Sequence, residues 1–257
     1  MTAAADHCLA LVRSADKDRF LASLFAPDAK RPLLLALYAF NIEIVRVADS
    51  VSEPHIGLIR HQWWRETVRG IYAGEVPPHP VAEELARAIA AGDLPLAPFL
   101  NLIAAREFDL YDDAMPDMTA LEGYLGETSS ALIQLASLLL AGPAAMTSAA
   151  AAGLAGVAHG MTGLIRGLHL HRARKFLPRG LAVSTAIDHA RQRLGEARAL
   201  RHTIPPAALP AFLPVSLAEL YLDRAGRLGE AARDKPVEIS QFRRQLRLWW
   251  KARRDSF

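Results

Sequence analysis

The sequence predicts an all-α protein. Apolar residues recur at helical spacing, no segment alternates as a strand does, and Pro and Gly cluster where helices would end. The clusters fall at Ala26-Pro27, Glu53-Pro54, Pro77 to Pro80, Pro95 to Pro98, Gly142-Pro143, Pro178 to Gly180, Pro205-Pro206 and Pro236. That punctuation divides the chain into roughly eight to ten helices of ordinary length. With 257 residues, 51% apolar content and no composition break, one domain is expected over residues 1–257, its core over about 19–228.

Each stretch supports this in turn. The N-terminal residues are interrupted by Asp6, Arg13, Asp16 and Lys17, too early for a secretory signal, so no signal peptide is expected. Leu33 to Val47, Val81 to Ile89, Leu96 to Ile103 and Leu217 to Leu228 place apolar residues at i, i+3, i+4 and i+7. Thr128 to Ile165 carries His159 as its only titratable side chain. Its length raises a membrane span, but the first half stops at Gly142-Pro143, too short to cross a bilayer, and the second is mostly Ala, Gly, Ser and Thr. Two buried helices are expected, and no transmembrane helix.

The last segment, about residues 237–254, reads as a basic amphipathic helix. Ile239, Phe242, Leu246 and Trp249 share one face, with Arg243, Arg244, Arg247, Lys251, Arg253 and Arg254 around them. Docking on the domain with the arginines in water is expected; peripheral membrane contact through Ile239–Arg254 is the alternative. Thirty Lys and Arg against 27 acids, net +3, without a dense basic run, give no reason to expect a nucleic-acid partner. The single cysteine, Cys8, excludes an internal disulfide and a multi-thiolate zinc site, and suits a reducing, cytoplasmic setting, possible contact with the inner membrane aside.

Several short motifs then recur in order: LYAF at 37–40, WWR at 63–65, EFD at 107–109, Tyr124 and KFLP at 175–178. From about Arg19 to Tyr221 the chain resembles the squalene/phytoene synthase family. The resemblance implies an isoprenoid-synthase-type helical bundle around a central apolar cavity, whose mouth binds isoprenoid diphosphates through Mg²⁺. Ionising an allylic diphosphate leaves a carbocation and a highly charged leaving group, which metal and cationic side chains must hold. Carboxylates four apart on a helix share a face and can supply the oxygens that Mg²⁺ requires. On this resemblance Tyr38, Phe40, Arg46, Arg60, Arg65 and Arg166 are candidate substrate contacts. If the chain is active, Asp49, Glu53, Glu107 and Asp109 are the candidate catalytic acids, with Asp49 and Glu53 the Mg²⁺ ligands.

The departures from the family pattern are clustered. Aligned on Ala39-Phe40, Val45 and Arg46 stand where leading aspartates belong, and Asp49 falls on the trailing one. Asp49 and Glu53, with Glu43 earlier, could form a displaced site, but Arg46 on the neighbouring turn would compete for the same carboxylates. Aligned on Phe176-Leu177-Pro178, Gly167 and His171 replace the second pair, while Gly160 and Gly163 replace a Gln and an Asn. His169 and His171 point roughly 160° apart on a helix and make no metal pair. With Arg172, Arg174 and Lys175 they form a positive patch suited to an anionic headgroup or to water. Glu107 and Asp109 could equally be held in ion pairs by Arg60, Arg65 and Arg106. After Pro178 the chain passes almost directly into the helical AIDHARQRLGEARAL, shortening the lid that would shield a carbocation from water.

Within the family, the stretch AFNIEIVRVADSVSEP, YLGETSSAL, KFLP, PAFLPVSLAELYL and a terminal Trp-Lys-x-Arg are similar to the branch of mitochondrial respiratory complex I assembly factors. The resemblance implies a degenerate synthase that binds an isoprenoid, a lipid or a partner such as complex I subunits. The Ala-rich composition suits a bacterial source. The competing expectations are an active Mg²⁺-dependent head-to-head prenyl transferase of terpenoid biosynthesis, and an isoprenoid or quinone carrier.

Overall fold

The computed structural model describes residues 2–254, 256 and 257, and for His171 and Arg172 the backbone alone. The expectations for those two side chains lie outside the described residues. Every regular element described is helical. In chain order the α-helices are α1 (Ala3–Ala15), α2 (Lys17–Ser23), α3 (Arg31–Asp49), α4 (Pro54–Tyr72), α5 (Pro80–Gly92), α6 (Leu96–Arg106) and α7 (Met118–Leu125). There follow α8 (Ala131–Ala141), α9 (Ala149–Gly167), α10 (Val183–Ala199), α11 (Leu209–Phe212), α12 (Ala218–Leu228) and α13 (Gln241–Arg253).

Local chemistry explains the breaks. Pro54 and Pro80 sit at the first position of α4 and α5, where no intrahelical donor is lost. Gly142 and Gly229 end α8 and α12 at φ 60° and 56°, a region that favours glycine. Helical segments outnumber the eight to ten expected because short pieces separate: Asp16 splits α1 from α2, and Pro210 and Pro214 leave α11 only four residues long.

The core centres on α3, whose residues from Leu34 to Ile42 are all buried, together with Ile44 and Val47. α3 packs against α1, α5, α8 and α4. A second apolar cluster joins α9, α10 and α12 through Ile165, Ile187, Ala190 and Leu222. By length and composition alone, Met118–Gly167 is apolar enough to cross a membrane. It is not one rod: the chain reverses at Gly142, and α8 and α9 pack together. At Gly156 a Cβ would lie 2.2 Å from Ser130 Cα, so α9 crosses the π-helical turn Gly126–Ser130 nearly backbone to backbone.

α13 docks on the domain, but through the face opposite to the apolar one expected. Leu248 is buried, Arg244 bonds Asp18 at 3.3 Å, and Arg247 pairs with Glu219. Phe242, Leu246 and Trp249 point outward, and Ile239 is buried ahead of the helix start. The docking groups lie about half a turn round the helix from Phe242, and their ion pairs decide which side faces in.

Candidate functional site

Asp16 occupies the junction between α1 and α2. As the N-cap of α2 its carboxylate accepts the Arg19 amide at 2.9 Å and the Arg19 Nη1 at 2.6 Å. The Arg19 guanidinium then lies 5.6 Å from the centre of the Tyr38 ring. Together with His159 of α9, this pair closes the inner end of a cavity of about 460 Å³. The outer wall comes from Ile42, Val45, Arg46 and Asp49 of α3, and the facing wall from Tyr124, Thr128, Ser129, Gly160 and Gly163. A contiguous cavity of about 340 Å³ shares Asp16, Arg19, His159 and Gly163 and adds Lys17, Asp18, Arg166 and Arg244.

The inner end is electrostatically settled. Burial would raise the Asp16 carboxyl, but the charge and hydrogen bonds of Arg19 hold it below the usual carboxylate range. Burial, reinforced by Arg19, pushes His159 from its ordinary 6.5 down to about 3, so the ring is neutral near pH 7. Burial also raises the Tyr38 and Tyr124 hydroxyls, and the Tyr124 hydroxyl donates to Asp109.

The four candidate acids are not brought together. Asp49 lines the large cavity at its exposed end. Glu53 is exposed, pairs with His55 at 3.3 Å, and borders a separate groove of about 170 Å³ with Asp109 and Lys175. Glu107 is paired with Arg65. Asp109 accepts from Arg106 at 3.1 Å and from the Tyr124 hydroxyl at 2.8 Å, while Arg106 also donates to that hydroxyl at 2.6 Å. Lys175 Nζ donates to the Asp109 carbonyl at 3.0 Å. Among the described residues no group of three His, Cys, Asp or Glu side chains could hold a metal. Mg²⁺ requires oxygen ligands in near-octahedral order, usually from convergent carboxylates. The residues present do not fit it.

Several other expectations need correction. Phe40 is fully buried, edge-on to Trp64 and Phe99 with ring centres 5.5 Å away in both cases. It cannot touch a cavity ligand, because Ile42, Val45, Arg46 and Asp49 form the cavity stripe of α3 and Phe40 lies on another face. Tyr38 is buried behind Arg19. Arg65 is occupied by Glu107, and Arg60 donates to Ser50 Oγ at 2.7 Å in a shallow groove that it shares with Arg46. Arg166 reaches the second cavity, bonding Asp18 at 3.1 Å and stacking 3.7 Å over the Tyr221 ring. Arg46 does not compete for Asp49 or Glu53; it makes no ion pair among the described residues. Sequence reasoning passed over Asp16 and Arg19, and noted His159 only as the lone titratable group in an apolar run. That isolation was the signal.

The two glycines differ. A Cβ at Gly160 would come within 2.6 Å of Leu125 and Ser129, whereas one at Gly163 would meet nothing within 4 Å. A side chain at Gly160 would therefore require the Leu125 and Ser129 side chains to move, and Gly163 leaves open space where a polar side chain would fit.

The sequence profile of the squalene/phytoene synthase family matches residues 12–181. Complex I assembly factor 6 of Homo sapiens is 33% identical over 248 residues, covering 87% of this chain and 74% of that protein. The chain belongs to the squalene/phytoene synthase family. Its assembly factor 6 homologue in Dictyostelium discoideum is 28% identical, with 83% and 67% covered, and that in Drosophila melanogaster is 25% identical, with 98% and 84% covered. Among solved structures, a dehydrosqualene synthase in complex with ligand superposes with a TM-score of 0.79 at 16% identity, over 96% of this chain and 94% of that one. Squalene synthase HpnC from Alicyclobacillus acidocaldarius gives 0.75 at 21%, over 87% and 93%. These two show the fold alone, and it is the isoprenoid-synthase fold expected. In this chain the cavity mouth carries an arginine, Arg46, with no ion pair among the described residues, while Glu53, Glu107 and Asp109 are held in separate ion pairs.

Proposed function

We propose that this protein is a synthase-like assembly factor: it carries out no prenyl transfer, holds an anionic isoprenoid or lipid headgroup in its cavity, and assists assembly of respiratory complex I. The names of its relatives support the assembly role. The observation that carries the ligand reading is Arg46, which lines the cavity mouth with no ion pair among the described residues, while the charged groups Asp16, Arg19 and Arg106 on the cavity wall are held in ion pairs. A guanidinium suits bidentate contact with a phosphate, and no metal is needed to place it there.

The test has two arms. Calorimetry with inorganic pyrophosphate and with farnesyl diphosphate should show binding that survives removal of Mg²⁺ by a chelator. Mg²⁺-dependent release of pyrophosphate from farnesyl diphosphate would overturn the non-catalytic reading and favour the head-to-head transferase, in which Asp49 would take a metal. Deletion of the gene should lower the amount of assembled membrane NADH dehydrogenase; an unchanged complex would overturn the assembly role.

A further inference from the structure

α13 is clamped from several directions. Arg244 bonds Asp18 at 3.3 Å, Arg247 pairs with Glu219 and donates to the Ser216 carbonyl at 3.2 Å, and Leu248 is buried. Beyond the helix, Arg198 and Lys251 donate to Phe257 O at 3.1 and 3.2 Å, and the Phe257 ring packs 5.3 Å from Phe212. The helix cannot roll over without breaking these bonds. Its outward face is therefore fixed, and that face is apolar: Phe242 is 71% exposed, Leu246 50%, Trp249 48% and Trp250 38%.

The same face carries charge of one sign. From Gln241 to Arg254 there are six Arg and Lys and no acid. Arg253 lies 5.0 Å from the Trp249 ring centre and Arg254 4.0 Å from that of Trp250, while Arg243 is exposed on the flank. Aromatic rings with guanidinium groups against them, on a helix whose outer side chains are Phe, Leu and Trp, match the headgroup boundary of an anionic bilayer. There the rings leave water and the arginines meet phosphate. A nucleic acid would use the arginines and leave Phe242 and Leu246 in water.

We propose that the outward face of α13 is a docking surface for an anionic phospholipid membrane, with Phe242, Leu246, Trp249 and Trp250 at the headgroup boundary. This goes beyond the cavity reading and does not depend on what the cavity holds. It has a geometric consequence, because Arg244 pins the helix and also lines the second cavity. The helix that carries the membrane surface on its outward side thus supplies a cavity-wall residue from its inward side.

The test uses the full-length protein and vesicles of phosphatidylcholine, alone or mixed with phosphatidylglycerol. The protein should co-sediment with the mixed vesicles, less with the neutral ones, and less again as salt is raised. The double variant Phe242→Glu/Leu246→Glu should weaken partitioning by about tenfold or more and leave the thermal midpoint unchanged, since both side chains are exposed. If that variant fails to fold, Arg243→Gln/Arg253→Gln should reduce binding to the mixed vesicles while leaving binding to neutral ones as it was. Absence of vesicle binding, or variants that bind as the parent does, would overturn the proposal. A concentration-dependent dimer abolished by the double variant, without vesicle binding, would overturn it in favour of self-association.

Discussion

The two sides of the cavity wall use charge in opposite ways. Arg106, Asp109 and Tyr124 form a closed triangle of hydrogen bonds, packed beneath Phe108 and Phe176. Arg46, at the exposed mouth, has no ion pair among the described residues. The first arrangement is spent on holding the fold, because each of its members would be costly to bury alone. The second keeps its charge available to a ligand. An acidic motif in a sequence therefore does not by itself indicate a metal site; what matters is whether cations of the same protein have already taken the carboxylates.

The contrast can be broken or sharpened by substitution. Phe40→Ala should lower unfolding free energy in urea by about 4 kcal/mol, as a fully buried aromatic does, while the folded fraction binds pyrophosphate as before; weakened binding would return Phe40 to the cavity. Asp109→Ala should cost about 3 kcal/mol, with Asp109→Asn milder because it still offers Tyr124 an acceptor. Gly160→Asn should cost about 1–3 kcal/mol in thermal unfolding through the collision with Leu125 and Ser129, whereas Gly163→Asn, into open space, should stay under about 1 kcal/mol.

The next effect is graded with pH. The folded His159 ring is held far below its ordinary 6.5, at about 3, so between those values the unfolded chain binds a proton that the native state does not. Its contribution is complete above pH 6.5 and drains away as pH falls toward 3. Asp16, also held low, loses its contribution in the same direction through the carboxylate range. Denaturation of His159→Gln followed from neutral to mildly acid pH should show a flatter profile than the parent. Smallest in stability is Arg46→Ala, within about 0.5 kcal/mol, yet calorimetry should find pyrophosphate affinity reduced by about tenfold or more; unchanged affinity would erase the difference between mouth and wall.

Much of the fold was legible in the sequence. Leu33–Val47, Val81–Ile89 and Leu96–Ile103 fall inside α3, α5 and α6, and the break expected at Gly142-Pro143 separates α8 from α9. Local chemistry suffices for these, since periodicity and the backbone limits of Pro and Gly act over a few residues. The site was less legible. Val45 and Arg46 stand out in the sequence as departures from the family pattern, and both line the cavity, but Tyr38 and Phe40 are candidates on family likeness alone, and Asp16 escapes notice because capping and cavity lining coincide there.

The sequence by itself determined the helices, their order and the family to which they belong. Only the tertiary structure decided which charges are spent and which face of each helix looks inward. Asp18 meets Tyr221 across 203 positions and Arg65 meets Glu107 across 42, separations over which local periodicity carries no information. The outward turn of Phe242 and Leu246 on α13 has the same origin. A repeating pattern gives a helix an apolar side, but the ion pairs made by Arg244 and Arg247, groups brought close only by folding, determine which side is buried.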